Sequence, residues 1–430
     1  MKRAVRLALR PSGTSRRVLG ACEWVRRSAF NAALAWHLAE RVAGRSVPGE
    51  YATARWLREW RKAASVEKPD LLKVPARIFE YAAEDLERGW RAVHNLKNGR
   101  PCFVRFDSQA GGFAVDGSII VTETHIRLPK IGKVRLMPNV RPSARSGRLP
   151  VGAYHVARLV REHGEWFVSV IREVANPVRA EDITPTIGLD PGVRKLATLS
   201  DGTIFENPKA LEQVAKKAEK YRLSIARKRR AADMRFEVRK KGERRASSNR
   251  LKRAQRQLGR QLQRAAHIRK NAIEHATSAI ARDHVVVAVE DTDVRSMTRK
   301  RIGRGRAAKA SLNRRILDAA PGMLLTTLDR KLRDRRGGGT IKVAAPFTSQ
   351  DCSHCGCRND CGSSETYICA ACGLIVDRDV NAANNILARA RVAVAGWSTA
   401  EKSAWEQGKT ARVNRSARAK IRAQIRKEAA

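Results

Sequence analysis

The sequence lacks any apolar run long enough to cross a membrane, since its longest uninterrupted strand-like run is 285–289. It also lacks the pattern of a secretion signal, because Arg6 and Arg10 interrupt the apolar residues near the start. These two absences argue against a membrane-spanning or secreted protein. We therefore expect a cytoplasmic location.

Acidic residues are scarce. The 430 residues include 42 Asp and Glu against 87 Lys and Arg, which gives a net charge of +45. Apolar residues make up 43% of the chain, so wholesale disorder is excluded and two to four folding units are expected. An arginine-rich compositional bias is one explanation of the charge. A nucleic-acid partner is the explanation we favour, because phosphates neutralise such an excess and release counterions.

Aromatic residues are also few, at 5% of the chain, so contacts with phosphates are expected to dominate over base stacking. Trp56, Trp60 and Trp90 recur at helical spacing, which predicts core positions for all three and not base platforms. A set of basic residues in the same region is a candidate for nucleic-acid contact on charge alone. Its members are Arg55, Arg58, Arg61, Lys73 and Arg77.

Cysteines are unevenly distributed, because six of the eight lie between 352 and 372. In a reducing compartment this clustering indicates metal binding, not disulfides. Two Cys-x-x-Cys pairs, with 13 residues between them, predict one structural zinc ion held by four thiolates. The predicted ligands are Cys352, Cys355, Cys369 and Cys372; Cys357, Cys361 and His354 are the alternatives for any one of them.

Periodicity changes along the first 180 residues. A strand is predicted over 2–9, and helices over 14–44, 51–65 and 76–95. After Gly99 the period becomes two, and short strands are predicted up to 174, the first of them over 101–106. Turn signals separate these strands, and one of them, Asp116-Gly117, divides predicted strands over 112–116 and 118–123. Strands that flank a helical block predict an antiparallel β-barrel over 1–180 with a helical subdomain inserted at about 14–97.

From 187 onward the pattern indicates a second domain after a linker over 176–186. Short strands are predicted near 187–189, 195–199, 203–205, 284–290 and 341–343. A long helical stretch over 208–282, with a turn near 242–249, carries much of the charge, since 211–270 contains 22 Lys and Arg against 5 Asp and Glu. A single helix is predicted over 311–335 and another over 378–392. We expect 298–310 to be mobile, and the basic tail 394–430 to be disordered without a ligand.

Three carboxylates stand where predicted strands or helices end or begin. Asp190 ends an apolar strand before a Pro-Gly turn, Glu290 ends another strand, and Asp379 begins a helix after the second cysteine pair. One such carboxylate is usually a solvated cap. Three together can hold two divalent ions that activate water and stabilise the leaving oxygen in phosphodiester cleavage. Mg²⁺ suits oxygen ligands of this kind.

Several motifs together resemble one known family. They are GLDPGVRKLATLSDG, VAVEDTDV, FTSQDCSHCG followed by CAAC, and DRDVNAANNIL, with the weaker LPKIGKVRL and GEWFVSV before them. In this order they resemble transposon-encoded TnpB (OrfB) proteins, and they are similar to the RuvC segments of compact type V CRISPR effector nucleases. The resemblance covers most of 1–392 and is most specific over 187–392.

The resemblance implies that Asp190, Glu290 and Asp379 are the RuvC catalytic carboxylates and bind two Mg²⁺ ions. Asp379 is preferred to its rival Asp377 because the family acid immediately precedes the x-Asn-Ala-Ala element. Asp291 is expected to face away. The family further implies an RNase H-like α/β domain and a DNA endonuclease that binds a noncoding guide RNA and cleaves target double-stranded DNA.

The expected architecture is a multidomain α+β protein. The resemblance assigns a wedge-like barrel domain to 1–180, a RuvC-like domain with a basic helical hairpin to 187–345, a target-binding zinc ribbon to 346–376, and a third RuvC segment to 377–393. A CRISPR effector is the nearest alternative function. A nuclease-dead RNA-guided regulator and a general RNA-binding protein with a zinc ribbon are less favoured, because all three carboxylates are present. No protein oligomer is required by the sequence.

Overall fold

The computed structural model divides the chain into two compact units, residues 1–175 and 176–430. No helix within the described part of the chain is long and apolar enough to cross a membrane. The structure describes residues 2–67, 69–96, 99–104, 110–137, 151–162, 164–173, 182–234, 248–299, 305–359, 362 and 364–406.

The first unit contains a six-stranded antiparallel sheet in the order β1-β6-β5-β2-β3-β4. Its strands are β1 (Lys2–Leu9), β2 (Ala110–Val121), β3 (His125–Leu128), β4 (Gly132–Arg135), β5 (Gly152–Glu162) and β6 (Glu165–Glu173). The two edge strands meet at one end, where the Arg10 amide donates to the Arg135 carbonyl (2.8 Å) and the Met137 amide to the Ala8 carbonyl (3.0 Å). The sheet thus curls until its edges are hydrogen-bonded at that end.

Four helices lie between the first two strands: α1 (Gly13–Val42), α2 (Glu50–Glu67), α3 (Asp70–Lys73) and α4 (Arg77–Leu96). Apolar residues on α1 and α4 share one core with the inner face of the sheet. Trp90 is buried in this core, while Trp56 and Trp60 are partly buried against it, so the prediction that the three are packing residues is confirmed. The short helix α3 was not predicted.

The second unit has a five-stranded mixed sheet in the order β11-β10-β7-β8-β9. The strands are β7 (Ile187–Asp190), β8 (Lys195–Leu199), β9 (Ile204–Glu206), β10 (Val286–Glu290) and β11 (Gly339–Val343). The first three form an antiparallel meander, whereas β10 pairs in parallel with both β7 and β11. Alternation along β10 explains its burial on both faces, because Val287 and Val289 pack on one side and Val286 and Ala288 on the other.

Helices cover both faces of this sheet. One face packs on α6 and α9, and the other on α10 and α11. The helices are α5 (Ala210–Met234), α6 (Asn249–Asp283), α7 (Val294–Met297), α8 (Arg306–Ala319), α9 (Pro321–Arg336), α10 (Arg378–Ala395) and α11 (Thr399–Glu406), and a small two-stranded ribbon is formed by β12 (Thr366–Ile368) and β13 (Ile375–Asp377).

Three expectations about individual elements are wrong. The helix expected over 311–335 is two helices, because Ala320 adopts a left-handed conformation (φ 51°) and Pro321 begins the next helix. The Asp116-Gly117 turn is a bulge inside the continuous strand β2, where the register with β5 shifts. Residues 101–104 are not a strand.

The tail also departs from expectation in its first part. Residues 399–406, which were expected to be disordered, form α11, and the reason is the burial of Trp405 against the sheet. Its indole nitrogen donates to the Thr340 carbonyl at 2.9 Å. Residues 407–430, the predicted helical turn over 242–247 and residues 300–304 of the segment expected to be mobile lie outside the described residues.

Candidate functional site

Asp190 and Glu290 lie side by side at one edge of the second sheet. Each is the last residue of its strand, and the two strands pair in parallel with Leu189 opposite Val289. The carboxyl ends of neighbouring parallel strands meet at the same edge, so the two side chains are brought together by strand register alone.

Asp379 reaches the same edge from the first turn of α10. This helix packs closely across β7, and Gly188 permits the approach, because a Cβ at that position would lie 2.0 Å from the Ala383 carbonyl oxygen. Any side chain at residue 188 would therefore push the helix off the sheet. A glycine within an apolar strand was the sequence signal for this close contact.

The three carboxylates line one cleft of about 360 Å³. The cleft therefore brings together the residues that the sequence predicted as catalytic, although they lie on three separate segments. Its remaining walls are mostly polar and include cations. The residues that form these walls are Gly192, Val193, Arg194, Lys195, Thr348, Ser349, Glu365, Arg378 and Ala382.

Electrostatics in the cleft oppose ionisation of the carboxylates. Burial, followed by the charges of Glu290 and Asp379, raises the pKa of Asp190 to about 7, against the weaker opposing effect of Arg378 and Lys195. Burial also raises the pKa of Glu290, although a hydrogen bond with Thr348 and the charge of Arg389 act in the other direction. Carboxylates held together against their mutual repulsion provide a site for divalent cations.

Asp377, the rival of Asp379, makes different contacts. Its carboxylate caps α10 by accepting hydrogen bonds from the amides of Asp379 (2.9 Å) and Val380 (3.3 Å), and it also accepts one from Lys195 (2.6 Å). These hydrogen bonds outweigh the effect of burial and lower the pKa of Asp377. Asp377 does not line the cleft.

Lys195 links the two aspartates, and sequence reasoning missed it. Its ammonium lies 2.6 Å from Asp377 and 3.4 Å from Asp379, and its side chain is 18% exposed. These carboxylates raise the pKa of Lys195 despite the opposing effect of burial. The only sequence signal was its place within GVRKLATL, at the start of the strand next to Asp190.

Asp291 lies outside the cleft lining, as its amide donates to the Val343 carbonyl (2.8 Å) and its carboxylate lies 3.8 Å from the Lys342 ammonium. Thr348 is a second residue that sequence reasoning missed. It is buried, it lines the cleft, and its side chain acts to lower the pKa of Glu290, while its hydroxyl donates to the Ala345 carbonyl at 3.0 Å. No local pattern identified it, because its role depends on a contact with a strand that ends 58 residues earlier.

The four predicted cysteine ligands converge in the ribbon. Their sulfur atoms all lie within 4.8 Å of one another, with Cys352 and Cys372 at 3.7 Å and Cys355 and Cys369 at 3.6 Å. A tetrahedral zinc site with bonds of about 2.3 Å has sulfur–sulfur edges of about 3.8 Å. The spacing of the sulfurs therefore fits Zn²⁺.

The thiols also need a cation on electrostatic grounds. The amide of Cys372 donates to the Cys369 sulfur and, despite desolvation, lowers the pKa of Cys369 to about 6. The Leu374 amide acts in the same direction on Cys372, but desolvation and the neighbouring sulfurs raise its pKa to about 12. A cation among the sulfurs would favour the thiolate form of Cys372. The alternatives His354 and Cys357 are exposed and lie outside this group; Cys361 is outside the described residues.

Polar residues on one face of α10 connect the ribbon to the cleft. The side-chain amide of Asn385 donates to the carbonyls of Thr348 (2.8 Å) and Asp351 (2.7 Å), and that of Asn381 also donates to Asp351 (2.8 Å). One turn further on, Arg389 binds the Asp351 carboxylate at 2.8 Å. The segment 348–351, which precedes the first ligand cysteine, is thus held against the helix that carries Asp379.

The basic hairpin of α5 and α6 separates apolar and charged surfaces. Small apolar clusters join the two helices, one of them formed by Ala210, Val214 and Ala265. The exposed basic residues include Lys216, Lys217, Lys220, Lys252, Arg253, Arg256 and Arg260.

In the first unit, two of the charge-based candidates for nucleic-acid contact bind other groups of the chain. Arg77 binds Asp116 at 2.8 Å, and Arg61 donates to the Leu71 carbonyl at 3.3 Å.

Two family descriptions match the second unit and the end of the first. Residues 169–301 match the OrfB family, described as "Probable transposase". Residues 322–386, which include the ribbon and Asp379, match the "Cas12f1-like, TNB domain" family.

Two similar proteins are described as putative RNA-guided DNA endonucleases. The chain is 30% identical over 415 residues to "Putative RNA-guided DNA endonuclease InsQ" of Escherichia coli (strain K12), which covers 92% of this chain and 94% of that protein. It is 30% identical over 277 residues to a "Putative RNA-guided DNA endonuclease" of Mycobacterium tuberculosis (strain ATCC 25618 / H37Rv), covering 61% and 54% of the two chains. A chain in the "Cryo-EM structure of the Cas12f1-sgRNA-target DNA complex" is similar at 16% identity and a TM-score of 0.46, over 86% of this chain and 81% of that one.

Proposed function

The chain belongs to the TnpB (OrfB) family, and on this basis we propose that it is an RNA-guided DNA endonuclease of the transposon-associated type. It binds a noncoding guide RNA and cleaves target double-stranded DNA in a RuvC-like site. The observation that carries the proposal is the convergence of Asp190, Glu290 and Asp379 in one cleft, in a chain similar over almost its whole length to a protein described as an RNA-guided DNA endonuclease.

The fold supports this assignment. An antiparallel meander extended by parallel strands, with helices on both faces, fits the RNase H-like sheet that the family implies. The cleft lies at the carboxyl ends of the parallel strands, where catalytic side chains usually collect in such sheets. Exposed cations of the hairpin α5–α6 supply a surface for the phosphates of a guide–target duplex, which is held through its backbone.

Asp190, Glu290 and Asp379 would hold the two Mg²⁺ ions, which when bound supply an activated water and charge stabilisation for the leaving oxygen. Lys195 holds Asp379 and Asp377 in place from the adjacent strand. Arg378 and Arg194, also in the cleft wall, offset the negative charge of an entering phosphodiester. Cys352, Cys355, Cys369 and Cys372 would hold a structural Zn²⁺ that leaves no open coordination position.

The test is guided cleavage by the purified complex. RNA that copurifies with the expressed protein is sequenced, and a plasmid that carries the matching target beside a randomised flanking sequence is incubated with the complex and Mg²⁺. We expect cutting that requires the match. Asp190→Ala is expected to abolish cutting with RNA binding unchanged, whereas Asp291→Ala, next to Glu290 but outside the cleft, should cut normally. Cutting by the Asp190 variant at the wild-type rate refutes the site assignment.

The same experiment separates the nearest alternatives. An RNA transcribed from a transposon end supports the TnpB type, and a CRISPR repeat in the RNA identifies the chain as a type V effector. Target binding without cutting by the wild-type complex indicates a nuclease-dead regulator.

A further inference from the structure

Phe347 stands out among the few aromatic residues because of its backbone conformation. Its φ is 67°, in the left-handed region that bulky residues rarely adopt, and 38% of the residue is exposed. Its carbonyl accepts the amide of Asp351 (2.9 Å), so this conformation begins the turn that leads into the first cysteine pair. Glycine would adopt the same φ without strain. A strained, exposed aromatic residue beside a cleft points to a use for its ring.

Arg358 lies over that ring. Its guanidinium carbon is 3.7 Å from the ring centroid, and 48% of its side chain is exposed. The guanidinium is fixed from behind, because its Nε binds Asp351 at 2.9 Å, and Asp351 is in turn bound by Arg389 at 2.8 Å. An exposed arginine is usually mobile, whereas this one contacts both a ring and a carboxylate.

The backbone on both sides of Arg358 is also fixed. The Cys352 amide donates to the Cys357 carbonyl (2.8 Å) and the Asn359 amide to the Gln350 carbonyl (3.0 Å), so the arginine stands on a hydrogen-bonded turn of the ribbon. The predicted zinc ligands Cys352 and Cys355 lie on the same turn. Zinc binding therefore stabilises the surface that presents the guanidinium.

The position of this pair suggests its ligand. Thr348 and Ser349, the residues that follow Phe347, line the carboxylate cleft, so the pair lies at the rim on the ribbon side. The strand that enters the cleft for cleavage is single-stranded, and its bases are free to stack. Planar cations and aromatic rings bind such bases without regard to their identity.

We propose that Phe347 and Arg358 form a stacking platform for one unpaired nucleobase of the strand that enters the carboxylate cleft. The base stacks on the guanidinium, and the ring supports the guanidinium from below. The proposal rests on the proposed function, since it assigns a contact of the same site to the single-stranded substrate. Such a contact differs from a general electrostatic attraction because it requires a planar side chain and not only a positive charge.

The test uses the guide-loaded complex in an Asp190→Ala background, which binds DNA without cutting it. Single-stranded oligonucleotides that carry one abasic site, moved along the strand position by position, are compared with the intact strand. We expect one position at which loss of the base weakens binding about 5- to 100-fold, the range of one stacked base. A 2-aminopurine at that position should lose fluorescence on binding.

Arg358→Lys distinguishes stacking from charge, because lysine keeps the charge but has no plane. We expect this variant and Phe347→Leu to lose the preference for the intact strand and to bind the abasic strand as the wild type does, with zinc content unchanged. Arg282→Lys is the matched control, as Arg282 is also exposed and paired with an aspartate, Asp283, but lies at the opposite end of β10. This control should keep the preference.

Three results would overturn the proposal: no position shows a preference, the preference survives in Arg358→Lys, or the control loses it equally. Guided cutting by the wild type is measured on the same preparation. Guided cutting without a base preference refutes the platform alone, whereas absence of guided cutting refutes the proposed function.

Discussion

Asp190 lies between two other carboxylates in a partly buried cleft, and its ionisation is therefore opposed in the folded state. Its pKa is raised from 3.8 to about 7. In the unfolded chain it ionises near 4, so between that pH and about 7 the folded protein binds a proton that the unfolded chain has lost. Stability is therefore lost as the pH rises from about 4 to about 7, and the full penalty is present above 7.

Asp190→Asn should remove this penalty. At pH 8, in magnesium-free buffer, we expect the variant to be more stable than the wild type by up to about 4 kcal/mol, with a gain that fades towards pH 4. The measurement is thermal or urea unfolding across this pH range. Asp283→Asn is the control, because Arg282 lowers the pKa of that carboxyl, whereas the pKa of Asp190 is raised. This variant should give no gain in stability at pH 8. Equal gains at pH 4 and pH 8 would contradict the role of ionisation.

Lys195 provides part of the compensating charge when no metal ion is bound. Lys195→Met leaves Asp377 and Asp379 without it, and we expect the metal-free protein to lose about 1–3 kcal/mol. Added Mg²⁺ should restore more stability to the variant than to the wild type, because the ion replaces the missing charge. The readout is the increase in Tm on adding Mg²⁺, with and without the substitution.

Lys342→Met is the matched control, because that ammonium lies 3.8 Å from a half-exposed carboxylate, Asp291, outside the cleft. Its increase in Tm with Mg²⁺ should equal that of the wild type. If Mg²⁺ raises the Tm of Lys195→Met no more than that of this control, Lys195 does not compensate the negative charge of the cleft.

Single residues were predictable where local motifs define them. The cysteine ligands follow from their spacing, and the three carboxylates from strand ends together with the resemblance to TnpB. Lys195, Thr348 and Arg389 were not, because each acts through a partner far along the chain. The resemblance preferred Asp379 to Asp377, and the structure adds the difference in their contacts, because Asp377 caps α10 whereas Asp379 lines the cleft.

At the scale of elements, helix α10 has three roles. It packs on the sheet beside Gly188, it presents Asp379, and its polar face holds the segment that leads to the ribbon. Asn385 is the central contact of that face, as it is 9% exposed and its amide satisfies two backbone carbonyls. Its loss would leave the Thr348 carbonyl without this donor, whereas Asp351 would keep the amide of Asn381. Thr348, whose side chain lowers the pKa of Glu290, would then be held less firmly at the cleft.

Asn385→Ala is therefore expected to cost about 1–3 kcal/mol of stability and to raise the Mg²⁺ concentration needed for half-maximal cutting. Asn384→Ala is a close control, because the neighbouring amide donates only to Val380 within its own helix (3.1 Å). Unfolding and a Mg²⁺ titration of cutting measure the two effects. If both variants behave alike, the connection between ribbon and cleft is not functional.

Element types were largely predictable from periodicity, and the errors occur where the backbone is unusual. Ala320 in a left-handed conformation split one predicted helix, and a bulge lies inside one strand where a turn between two strands was predicted. The helix around Trp405 was missed because charge dominates its sequence, whereas one buried indole anchors it. Tertiary contacts, and not local propensity, decide such cases.

At the scale of the whole molecule, the net charge of +45 is spread unevenly. Many cations are paired with carboxylates of the same chain, as Arg330 is with Glu274 (3.8 Å) and Asp334 (3.5 Å). The hairpin of α5 and α6 instead presents many exposed cations, and small apolar clusters join its two helices. Charge of this kind neutralises phosphates directly and makes binding depend on salt.

Two exposed lysines on α5, Lys216 and Lys220, test this distribution. If both contact guide or target phosphates, Lys216→Gln with Lys220→Gln should make the plot of log affinity against log salt shallower by about 1.5–2, and weaken binding equally for all sequences. Binding of the copurified RNA, measured over a range of salt concentrations, gives the slope. Arg330→Gln removes a charge that is already paired and should leave the slope unchanged. A slope that changes equally in both variants would mean that net charge, and not its placement on the hairpin, governs binding.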